Sequence, residues 1–74
     1  MVVSENMKKE YLDDVYAEMQ HRGISRSEAA NAIAHTGFLE ALDKYPEAQL
    51  HYDVRDAVDE ILVVAVKDLT PVNQ

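Results

Sequence analysis

The chain has no cysteine and no tryptophan, two glycines, two prolines, and seven basic residues against fourteen acidic ones. Each scarcity excludes something. Without cysteine, neither a disulfide nor a thiolate metal site can staple the fold. A domain of 74 residues buries only roughly 60% of the surface its unfolded chain exposes. It must therefore rely on tight helix packing or on a partner subunit. A core this thin offers little support for an elaborate active site, and a small-ligand sensor would need a pocket it can hardly provide.

The shortage of positive charge leaves a net charge of −7, and residues 47–74, with two basic and six acidic side chains, carry −4 of it. Such a chain repels phosphate backbones, the main source of non-specific nucleic-acid affinity. No nucleic acid is expected as a partner. The acidity suits solubility or a basic protein partner. Long apolar runs are also missing. The longest, "ILVVAV" at Ile61–Val66, falls far short of the roughly 20 residues of a membrane span. The N-terminal "MVVSENMKKEY" lacks the apolar stretch of a signal peptide. A cytoplasmic protein of a reducing compartment, with no membrane partner, is the expectation.

Gly23, Gly37, Pro46 and Pro71 divide the chain into four periodic segments, with no linker, repeat or low-complexity tract between them. The first segment, about residues 5–22, has Ser4 as a cap and Glu5 at the positive end of the helix dipole. Met7, Tyr11, Val15 and Met19 form an i+4 ladder widened by Leu12 and Tyr16, so a core-facing amphipathic helix is expected. The second, about 26–36, opens with "SRSE" at Ser25–Glu28, a capping box. Ile24, Ala29, Ala30, Ile33 and Ala34 give it a narrow face of small residues. Gly37 can take the left-handed conformation that ends a helix. The third, about 38–45, places Phe38, Leu39, Leu42 and Tyr45 at helical spacing and stops before Pro46. The fourth, about 54–69, is capped by Asp53 and buries Val54, Ala57, Val58, Ile61, Leu62, Ala65 and Leu69. The tail 71–74 is expected to fray. "ILVVAV" also has the β-branched content of a strand. The helical period of "VRDAVDEIL" leading into it favours helix.

Motifs that carry chemistry are scarce. A DNA-reading helix after Gly37 would be "FLEALDKY", which offers Phe, Leu, Glu and Asp to a polyanion. Arg22 and Arg26 alone do not make a basic patch. His21, His35 and His51 lack zinc-motif spacing. Ser4 and Ser25 are explained as caps, and the sequence has no phosphate loop or nucleophile elbow. Asp13–Asp14 and Asp59–Glu60 are adjacent on helices, where neighbours point about 100° apart and form no catalytic dyad. The expectation is a protein that is not an enzyme and needs no cofactor and no metal.

One feature exceeds what a single-sided helix requires. Val63 points away from the face set by Val54, Ala57, Val58 and Ile61, and Val64 and Val66 flank that face. A helix apolar all round is normally buried. Ile61, Leu62, Val63 and Val66, with Asp59 beside them and Asp56, Glu60 and Asp68 along the border, read as an interface core with an acidic rim. A homodimer, or a basic heterologous protein, would cover it.

The order of these pieces resembles the domain-of-unknown-function 3791 family of short bacterial proteins. The matching pieces are the helix ending at Gly23–Ser25, Glu28–Ala29, "TGFLEAL" at Thr36–Leu42, Tyr45, Leu50–His51 and "VRDAVDEI" at Val54–Ile61, over most of residues 8–62. Pro46 and "EAQ" before Leu50 depart from the pattern, and the apolar tail beyond Leu62 lies outside it. The resemblance implies an all-helical fold without known catalysis. Members are often encoded beside toxin-like or ADP-ribosyltransferase-like proteins, which implies an antitoxin-like or accessory binding role. It supplies no site residues. The sequence as a whole is expected to give one all-α domain of three to four helices, in an orthogonal or bundle-like pack, that acts as a protein–protein interaction module. A helix-turn-helix-like transcriptional regulator or acidic co-regulator is the alternative.

Overall fold

A computed structural model describes residues 3–69, with residues 66–69 defined as helix only. Among the described residues the fold is all-α, in five helices: α1 (Glu5–His21), α2 (Arg26–His35), α3 (Phe38–Lys44), α4 (Pro46–Leu50) and α5 (Val54–Leu69). The expected tail at 71–74 lies outside them.

Five boundaries follow from local chemistry. At the start of α1, Ser4 Oγ accepts the Met7 N–H at 3.1 Å. Its end is a left-handed glycine cap. Gly23 sits at φ 86°, its N–H donates to Gln20 O at 2.9 Å, and the Ile24 N–H donates to Met19 O at 3.0 Å. These two bonds satisfy carbonyls the helix leaves open, and they carry the chain directly into α2. There the capping box forms in full. Ser25 Oγ accepts the Glu28 N–H at 3.2 Å, and Glu28 Oε1 accepts the Ser25 N–H at 3.1 Å. Gly37, at φ 73°, ends α2 and begins α3, its carbonyl accepting the Ala41 N–H at 3.0 Å. Asp53 Oδ1 caps α5 by accepting the Arg55 N–H at 2.8 Å.

The fifth helix was not expected. Pro46 stops α3, since the residue before a proline avoids helical geometry, and Tyr45 accordingly sits at φ −129°. The same proline begins α4, because a ring with fixed φ and no N–H suits a first helical position. "ILVVAV" falls within α5, so the helical reading holds over the strand.

Packing follows the expected stripes, with four residues as exceptions. Tyr11, Val15 and Met19 of α1 meet Ala29 and Ile33 of α2, Phe38 and Leu42 of α3, and Ala57, Val58 and Ile61 of α5 in one cluster. Ala30 and Ala34, assigned above to the α2 core face, are exposed. The buried line runs through Ala29 and Ile33, and residues one step later are turned about 100° away. Leu39 and Tyr45 are likewise 47% and 66% exposed, because Phe38 and Leu42 already take the buried line of α3.

Polar ties close the rim. Arg22, at the end of α1, donates from Nη1 to Asp59 Oδ1 at 2.6 Å, from Nε to Glu18 Oε2 at 2.8 Å and from Nη2 to the Arg55 carbonyl at 3.2 Å. Tyr11 stacks on Phe38 with ring centroids 6.2 Å apart. Its hydroxyl donates to the Tyr52 carbonyl at 3.1 Å, and burial raises its pKa. Arg26 lies over the Tyr16 ring, 4.1 Å from its centroid, and links α2 to α1.

The capping box makes stability depend on pH. The backbone N–H and then the hydroxyl of Ser25 hold the Glu28 carboxyl below its ordinary pKa. A lowered folded-state pKa gives stabilisation that is present above the ordinary carboxylate range and lost as pH falls through the folded value. Ser25→Ala should cost about 1 kcal/mol near pH 7. Urea unfolding at pH 7 and pH 3 should show the gap between wild type and variant narrowing in acid.

Candidate protein-interaction surface

The five residues expected to form an interface lie on one helix but not on one face. Ile61 is 3% exposed and belongs to the core. Leu62 is half-buried and packs against the same cluster. Both are occupied within the chain, which corrects their assignment to an outward surface. At about 100° per residue, Ile61 and Val63 stand on opposite sides of α5. Val63 is 58% exposed. The Val66 side chain lies outside the described residues. Asp59 is exposed and held by Arg22 at 2.6 Å, so it both flanks Val63 and anchors α5 to α1.

Asp56 and Glu60, seven and three residues before Val63, are exposed as well. Helical spacing stacks Asp56 almost in line with Val63, two turns earlier, and sets Glu60 and Asp59 on its two sides. Among the described residues, the outer surface of α5 is therefore one well-exposed apolar side chain, Val63, set among carboxylates and Arg55. A partner could bury the valine and match the acids, though the patch is smaller than the run Ile61–Val66 indicated.

A second apolar surface was not anticipated. Leu39 on α3, with Leu12 of α1 and Leu42, lines a groove of about 250 Å³ walled by Lys8 and Lys9 and by the carboxylates of Glu5 and Asp43. Its sequence signal was present, because Leu39 follows Phe38 in a helix whose buried line is Phe38 and Leu42. Lys8 bridges to Glu5 at 2.6 Å and Asp43 at 3.7 Å, and these partners raise its pKa, the Glu5 bond most.

The other candidates are dispersed. His21, His35 and His51 are exposed on α1, on α2 and after α4. His35 Nδ1 lies 2.8 Å from the Asn31 carbonyl of its own helix. Asp13, Asp14, Asp59 and Glu60 are all exposed. Among the described residues no group of three His, Cys, Asp or Glu side chains comes together as a metal site. No described helix is long and apolar enough to cross a membrane. A cleft between α3 and α5, bordered by Phe38, Tyr52, Ile61 and Val64, holds about 90 Å³, below the roughly 300 Å³ at which ligand pockets begin.

Comparison of the chain with protein-family models, with curated proteins and with solved structures gave no match.

The division between core and surface on α5 is measurable. Ile61→Ala should destabilise the fold by about 2–5 kcal/mol, through lost transfer energy and a cavity. Val63→Ser should stay within about 0.5 kcal/mol of wild type. Urea midpoints under dilute conditions separate the two, and equal losses would place Val63 in the core.

Proposed function

We propose that the chain is a small acidic protein–protein interaction module that self-associates through α5. In this reading it serves an antitoxin-like or accessory role in the bacterial cytoplasm and performs no catalysis. The observation that carries the proposal is Val63, a β-branched apolar side chain 58% exposed in the middle of a long helix. Burying it would release apolar surface from water at roughly 25 cal/mol per Å². The resemblance in "GIS", "TGFLEAL" and "VRDAVDEI" supports the accessory role. The net charge of −7 suits a basic heterologous partner, the other candidate for the same face. Adjacent, exposed carboxylates such as Asp13 and Asp14 favour solvation over acid–base chemistry.

The alternative, a helix-turn-helix-like regulator or acidic co-regulator, draws on the tight α2–Gly37–α3 turn. On α3 the exposed side chains are Leu39, Glu40, Asp43 and Lys44, and Lys44 already faces Glu40 at 3.7 Å. Such a helix presents more negative than positive charge to a phosphate backbone.

Size-exclusion chromatography with light scattering tests the first reading. Wild type should exceed the monomer mass as concentration rises, and Val63→Asp should weaken association at least tenfold while keeping its helical circular dichroism. A wild type that stays monomeric at high concentration would overturn self-association. For the second reading, fluorescence anisotropy with labelled duplex DNA should show no salt-dependent binding, and a steep salt dependence would reinstate it.

A further inference from the structure

We propose that the self-association is a two-fold pair in which the α5 helices of two copies run antiparallel and cross at Val63. This inference rests on the self-association proposed above and says how the second copy is seated on the face that Val63 marks.

The first observation is where the charges of that face stand along the helix. At about 100° per residue, the ionisable residues on the outer half of α5 are Arg55, Asp56, Asp59, Glu60 and Lys67. The first four precede Val63. Arg55 lies 3.5 Å from Asp53, and Asp59 is held by Arg22 at 2.6 Å. Asp56 and Glu60 take part in none of the ion pairs among the described residues. The face before Val63 therefore carries two unmatched carboxylates. After Val63, α5 continues as helix to Leu69, and the same face holds Val66 and Lys67 and no acid, since Asp68 falls on the opposite side of the axis. Val63 and Val64 occupy the positions four and three before Lys67, so no acidic residue of its own helix stands one turn below it.

The second observation is the direction of these residues around the axis. Glu60 and Lys67 lie on one side of Val63, turned from it by about 60° and 40°, and Asp59 lies on the other. A two-fold axis can pair this face with itself in two ways. Parallel helices join residues of equal height from opposite sides, so Glu60 of each copy meets Asp59 of the other and like charges oppose docking. Antiparallel helices join equal sides and reverse the height. Position 60 of one copy then stands beside position 67 of the other, twice in each dimer, and Val63 packs on Val63 at the axis. The two copies of Glu60 are about 9 Å apart along the pair and those of Asp56 about 21 Å. Such an interface is isologous and closes at a dimer.

The chain has no cysteine, so introduced thiols report neighbours directly. Glu60→Cys mixed with Lys67→Cys under mild oxidation should give a disulfide-linked dimer with one copy of each. Either variant alone should stay unlinked, because a disulfide joins Cα atoms no more than about 7 Å apart. Charge reversal reads the same contact. In light scattering, Glu60→Lys and Lys67→Glu should each weaken association about tenfold, and the double variant carrying both should return to within about threefold of wild type. Circular dichroism checks that each variant folds. If Glu60→Cys links to itself as readily as to Lys67→Cys, or if the double variant stays as weak as the single ones, the antiparallel pair is overturned and self-association stands. A wild type that never exceeds the monomer overturns both.

Discussion

Val15, Met19, Ile33 and Val58 are the largest side chains that solvent hardly reaches, and they come from three helices that meet around them. Their removal from water is the main favourable term available to a chain without disulfides or other staples. The remaining elements are arranged to keep that contact dry. Tyr11 and Phe38 stack over one side of the cluster, and Leu42 brings α3 against it. The glycine cap at Gly23 fixes how sharply α1 gives way to α2. With so few core residues, each helix has one admissible rotation about its own axis.

The polar contacts work at the edge of this core. Arg22 reaches Glu18, Asp59 and the Arg55 carbonyl from one guanidinium, which fixes the end of α1 against the start of α5. Arg26 on Tyr16 does the same for α1 and α2. These groups stay partly hydrated, so they set geometry more than they add stability. With Lys8, Lys44 and Arg55, which also pair with carboxylates, they engage five of the seven basic side chains of an acidic chain. Much of the described outer surface is left negative.

The functional reading moved with the rotation of α5. In sequence, Ile61, Leu62, Val63 and Val66 form one apolar block. In the fold, the block divides, because a helix distributes neighbours around its axis. Ile61 joins the core, Leu62 leans on it, and Val63 faces water. Periodicity alone had set Val63 opposite the buried line, so that residue was legible early. The groove at Leu39 was legible only in part: Leu39 lies off the buried line of its own helix, but the groove also needs Lys8, Lys9 and Leu12 of α1 beside it.

Local chemistry by itself determined the helix boundaries: serine and aspartate caps, a capping box, two glycines with positive φ and a proline that ends one helix and starts another. It also determined the buried lines of α1 and α5, because an i, i+4 ladder needs no distant partner to define a face. Only the tertiary structure decided which of the small and apolar residues of α2 and α3 were inside. Ala30, Ala34, Leu39 and Tyr45 are apolar or aromatic at near-helical spacing, yet a short helix touches the core along a narrow line, and that line is set by the helices it packs against.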